Sequence, residues 1–327
     1  MKNYKSKALT EAGLITALVV MLSLINSYVP VFSMLGNFLI PIPFAVLYLR
    51  QDKFMTFGSV FASAFLMAML YNPIEGILAS VIFGLTGITL GFCIKKNKSM
   101  FFTIASLAFV SIIGTLFRFV IYIILINKQS VASFVNELLK LFNSSINESI
   151  KFYTNMGVDT NTLEPIKEYL KLFTPELILS VIPAFIILSS IISGYLNYIL
   201  SYSILKKLGY NMKNLVSFRN IYVNSKTGAI IGIFLLVGVI LNRYNVPYSN
   251  YIVNSTGVIM KFVLMIDGLS LAVYYMVNKF HISKAFITFI IIFVAFSPIS
   301  ILLFYLGLMD IIFDFRKLDP NRNYNME

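Results

Sequence analysis

Two ionisable residues, Arg118 and Asp267, sit inside long apolar runs of this 327-residue chain. In lipid a charge costs at least a few kcal/mol unless it finds a partner, so each marks an ion pair or a polar cavity. At 1.5 Å per helical residue, Arg118 lies about 12 Å and Asp267 about 15 Å from the outer end of its run. The matching depths pair the two, or turn both toward one cavity. Glu75 and Lys261 lie nearer the outer surface and form a second layer. These four residues allow two readings: a structural ion pair between helices, and an outward-facing cavity that binds a solute.

Bond-making chemistry finds little support. One cysteine, Cys93, excludes an intramolecular disulfide and a multi-cysteine metal site, and one histidine, His281, leaves no histidine cluster. No phosphate-cradling glycine loop, paired catalytic carboxylates or HExxH helix is present. No catalytic residue, metal or cofactor is therefore expected, and the chain is not read as an enzyme. Cys93 ends an apolar run beside lysines and reads as an inert boundary thiol, and His281 as a surface residue of a basic loop. Asp310 and Asp314 are expected to neutralise Arg316 and Lys317 at the membrane surface.

The elements that must position these residues follow from composition. Hydrophobic residues make up 58% of the chain and charged residues 12%, about half the charged fraction of a soluble domain. The net charge of +12 is not gathered into a nucleic-acid patch. The basic residues fall in short loops between apolar runs, as positively charged cytoplasmic loops do.

The first run, residues 8–29, has spanning length, and Lys2, Lys5 and Lys7 ahead of it hold the N-terminus in the cytoplasm. Its length, and the lack of an A-x-A site after it, favour a retained helix over a cleaved signal. Further spans cover residues 35–49, 54–70, 74–94, 101–126, 175–205, 227–241 and 257–277. Pro41 and Pro43 must interrupt the second. Gly76, Gly84, Gly87 and Gly91 give the fourth a face that a neighbour can approach closely.

The last run, residues 285–315, is one span or a hairpin turning at Ser297 and Pro298. The hairpin keeps Arg316, Lys317 and Arg322 inside and gives ten segments rather than nine. On that assignment 18 of the 26 Lys and Arg are cytoplasmic.

Residues 127–173 differ in kind. Apolar positions from Val131 to Ile150 recur every three or four residues, and the charges balance. The segment reads as an external amphipathic helical insertion, either a passive surface helix or a lid. The expected fold is thus all-α, a polytopic transmembrane bundle of 9–10 spans. It divides into a five-helix membrane region (residues 1–126), the external insertion (127–173), a second membrane region (174–315) and a cytoplasmic tail (316–327).

Two stretches carry a family resemblance: LTEAGLITALVVMLSLINSYVPVFSMLGNFLIPIPFAVLYLR near the start, and LGLMDIIFDFRK, residues 306–317. With the basic loop around Phe218 and Arg219, they resemble the YybS-type family of uncharacterised bacterial multi-pass membrane proteins. That loop reads SFRNIYVNSK here and lacks the tryptophan and proline of the family pattern. The resemblance implies a plasma-membrane protein.

The N-terminal half also resembles the substrate-binding S component of energy-coupling-factor vitamin transporters. Those proteins dock on a membrane coupling subunit and its ATPase module through small residues of their first helix. Ala8 and Ala12 have that spacing, and the resemblance implies a partner-docking face there. Two functions follow. One is small-solute binding in transport, with the ligand unnamed; the other is a membrane scaffold without transport activity. Beyond the lipid bilayer and such a module, no partner is expected, nucleic acid included.

Overall fold

Prolines and capping side chains set where the helices begin. In the computed structural model, which describes residues 2–295, 297 and 299–319, Pro30, Pro41 and Pro73 each open a helix, where their missing N–H costs nothing. Asp52, Asn72 and Ser99 accept hydrogen bonds from the free N–H groups of the first turns they precede. The result is an all-α polytopic bundle, and no strand occurs among the described residues.

By contacts the chain forms two units, residues 1–128 with 186–215, and residues 129–185 with 216–327. The first contains α1 (Lys2–Tyr28), α2 (Pro30–Leu39), α3 (Pro41–Arg50), α4 (Lys53–Leu70), α5 (Pro73–Lys95) and α6 (Met100–Ile121). The expected interruption at Pro41 is the junction of α2 and α3. The unit's core gathers Val19, Ile40, Phe44, Val60 and Phe83.

Helix α4 shows the polarity of a membrane helix. Thr56, Ser59 and Ser63 are buried, whereas Phe54, Phe57, Phe61 and Phe65 are exposed. The Ser59 hydroxyl meets Thr16 of α1 at 2.7 Å, so polar groups hold neighbours together where lipid offers no partner. The glycine face of α5 does what its spacing implies: Gly84 abuts Val60, and Gly87 abuts the Pro41 carbonyl and Phe44.

The second unit contains α7 (Val131–Asn155), α8 (Thr160–Lys171), α10 (Ser225–Arg243), α11 (Ser249–Asn278), α12 (Lys284–Ala295) and α13 (Ser300–Phe313). Helix α9 (Pro175–Lys207) contributes to both. The amphipathic pattern of residues 127–173 becomes α7 and α8. They are separated at Gly157, whose φ of 89° suits a residue without a Cβ.

Among the described residues, eight helical segments are long and apolar enough to cross a membrane, with α2 and α3 counted as one. The last apolar run is split into α12 and α13 around Ser297; Pro298 lies outside the described residues. Asp267 and Ser270 of α11 meet Arg316, just past α13, so the end of α13 lies beside the second half of α11. The run thus turns back as the hairpin reading expects, with two arms shorter than the eight segments of spanning length.

The described part of the tail is packed against the unit. Arg316 and Asp319, expected in a cytoplasmic tail, are each only 5% exposed; residues 320–327 lie outside the described part.

Candidate functional site

Unit one holds a polar cavity at the end of its bundle away from the N-terminus. One lobe, about 330 Å³, is walled by the end of α1, by α2, by the α4–α5 turn and by the end of α6. A second, about 310 Å³, lies against α5, α6 and the part of α9 that belongs to this unit. Asn37, Phe83 and Arg118 line both. Local sequence explains why the polar groups meet. Asn37 stands one turn before the α2–α3 break, Glu75 sits in the first turn of α5 after its Asn72 cap, and Arg118 closes α6.

The lining is unsatisfied in a telling way. The Arg118 guanidinium makes no hydrogen bond or ion pair with any described residue, and neither does the Glu75 carboxylate. Asn197 of α9 is 6% exposed and donates its amide to the Ser193 carbonyl at 3.1 Å; its Oδ1 has no described partner. Ser23 of α1 is 2% exposed and its Oγ is equally unmatched. Asn26 donates to Asn37 Oδ1 at 3.1 Å across the cavity mouth. Arg118 is exposed and Glu75 half-buried, but Asn197 and Ser23 are buried, and an unpaired buried polar atom points to water or a ligand.

Unit two gathers its interior charges into one cluster, in which only Asp267 Oδ2 among the buried carboxylate oxygens has no described partner. Arg316 Nη2 donates to Asp267 Oδ1 at 2.8 Å and to Asp310 Oδ2 at 2.7 Å, and these side chains are 0–4% exposed. Nη1 of the same guanidinium reaches Ser270 Oγ at 2.7 Å and the Ile221 carbonyl at 2.8 Å. The Val223 N–H donates to Asp267 Oδ1 at 2.9 Å. Further along, Asp314 accepts from the Leu318 and Asp319 N–H groups, and Asp319 from that of Ser225. Burial pushes the Tyr222 phenol up, with the Asp319 and Asp314 charges acting in the same direction. This cluster ties the C-terminal segment to the loop before α10 and to α11.

Several expectations change. Asp267 pairs with Arg316 and not with Arg118, because the chain folds back after α13 and carries a guanidinium to it. Asp310 does neutralise Arg316, but in the interior and not at a surface. Of the expected second layer, Glu75 lines the cavity with Arg118, whereas Lys261 is an exposed residue of α11 in the other unit.

Ala8 and Ala12, expected to offer a docking face, are 4% and 7% exposed and therefore covered by the chain itself. They begin a buried stripe that continues through Thr16, Val19 and Ser23. Sequence reasoning missed Asn197, Ser23 and Asn37. A polar residue at a buried register of an apolar helix was the available signal for the first two.

No curated protein and no solved structure matches the chain. Residues 17–311 match the family described as Predicted membrane protein (DUF2232), and with most of its length covered the chain belongs to that family of membrane proteins.

Proposed function

We propose that the protein binds a small solute in the cavity of its first unit and serves transport of that solute across the bacterial plasma membrane. The observation that carries this reading is Arg118, an exposed guanidinium near the end of an apolar helix that has no described partner and lines both lobes of the cavity. That exposure leaves it open to water or to a ligand in the cavity. The other unit, by contrast, pairs its interior arginine with two carboxylates.

Cavities of about 300 to 1,000 Å³ hold small ligands, and both lobes fall at the lower end of that range. The basic residues favour a cytoplasmic N-terminus, which puts the cavity toward the outside. The reading gives the chain no catalytic step. Any energy-coupling module would have to dock elsewhere than on Ala8 and Ala12, which are buried.

A membrane scaffold is the second reading, favoured by the closed ion cluster of unit two. Gentle purification followed by native mass spectrometry separates the two. A bound small molecule, lost when the cavity is filled by Asn197→Phe, supports solute binding. Protein partners with an empty cavity support the scaffold.

A further inference from the structure

Resting on that reading, we infer that the cavity's ligand is a small zwitterion, its carboxylate or phosphate held by Arg118 and its ammonium group by Glu75. Both residues line the same lobe, with opposite charges and no ion pair between them. Arg118 is exposed and Glu75 half-buried, so both charges are available to a molecule in the space of about 330 Å³ that they line.

Each charge stands on its own rigid support. Glu75 is fixed in the first turn of α5, whose Asn72 cap accepts from the Ile74 and Glu75 N–H groups at 3.0 and 3.1 Å. Arg118 belongs to the last turn of α6. The remaining lining complements a compact polar body. Ser23 Oγ is buried without a described partner, and Asn37 accepts from Asn26 and donates its amide to the Ser33 carbonyl at 3.1 Å. Arginine recognises a planar carboxylate or a phosphate through paired N–H donors, and a carboxylate such as Glu75 takes up an ammonium group. A purely anionic ligand would leave Glu75 repelling it; a purely cationic one would meet Arg118.

The same chemistry occurs in free amino-acid-like solutes and in an ethanolamine lipid headgroup, and the test distinguishes them. The chain has no tryptophan but a single cysteine, Cys93, which is 1% exposed. A thiol-reactive dye therefore reports unfolding of the full-length protein in detergent. Glycine and O-phosphoethanolamine at saturation should raise the midpoint by about 5 °C. Acetate and inorganic phosphate should raise it less, and ethylamine not at all. Arg118→Gln should abolish every response, and Glu75→Gln should reduce the zwitterions to the level of the simple anions. Neither side chain bonds to the fold, so both variants keep the native midpoint without ligand.

Micelles doped with phosphatidylethanolamine or phosphatidylglycerol supply the lipid arm. Protection by the first alone, lost in both variants, assigns the headgroup; protection by the soluble zwitterions alone assigns a free solute. Equal protection by ethylamine, or responses that survive both substitutions, overturn the zwitterion. A solute seen by native mass spectrometry that stays bound in Arg118→Gln overturns it as well, while leaving solute binding intact. No response to any probe together with no bound solute overturns both.

Discussion

Arg316 and Arg118 show how one residue type behaves when the surroundings do or do not complete it. Arg316 is enclosed with two carboxylates, a hydroxyl and backbone carbonyls, so removing it strands Asp267 and Asp310. Arg316→Gln should therefore destabilise by about 3–5 kcal/mol, whereas Arg316→Met combined with Asp267→Asn should cost less than the sum of its parts. Thermal midpoints of the two singles and the double in detergent check this, and additive losses would mean the charges are not coupled. Arg118→Gln removes a side chain that no described residue holds, so its effect on the ligand-free midpoint should stay within about 0.5 kcal/mol. Arg118 and Asp267 lie within spanning helices, as Glu75 and Lys261 do, but depth alone cannot specify a partner. Depth fixes one coordinate of a side chain and leaves open which helix face it occupies. The counter-ion of Asp267 lies 49 residues away, beyond the last helix, where a charge reads most simply as solvated.

Helices α11 and α13 meet through glycine. A Cβ on Gly268 would run into the Leu303 carbonyl oxygen, and one on Gly307 into the Leu264 carbonyl oxygen. Backbones this close gain van der Waals contact that bulkier residues would forbid. Gly268→Ala should therefore push the helices apart and cost at least about 1–3 kcal/mol. Gly257→Ala, on the same helix with nothing within 4 Å of the new atom, should be neutral or raise stability by up to about 1 kcal/mol through helix propensity. Melting both variants side by side tests the crossing, and equal effects would discount it. At this scale the sequence was most legible. Run length and proline placement mark the helices well, because lipid forces every spanning backbone to satisfy itself within its own segment. The amphipathic period of residues 131–150 likewise marks α7. The alanine pair was legible as a close-packing face but not as to what covers it, since small residues admit a neighbour from within the chain or from outside on equal terms.

Unit one is assembled from residues 1–128 and, after a long excursion, residues 186–215. The returning stretch is not peripheral. It supplies Asn197 to the cavity, sets the Tyr198 hydroxyl on the Lys213 carbonyl at 2.7 Å and brings Tyr210 to Arg50 at 3.0 Å. A fragment ending at residue 128 should therefore be degraded, while one ending at residue 215 should accumulate in membranes; immunoblots of both, with a pulse-chase, measure this. Comparable lifetimes would show that the return is dispensable. No sequence pattern announced it, since apolar runs record that a helix enters lipid and not which helices it later joins. The interrupted order also has a consequence in time. At about 5–20 residues per second, a ribosome spends roughly 4–17 s between the end of the first stretch and the end of the second. Throughout that interval the cavity lacks the wall that Asn197 supplies, and dependence of the nascent chain on a temporary escort is expected. Slowing translation between codons 129 and 185 should lengthen that dependence and reduce the yield of whole protein.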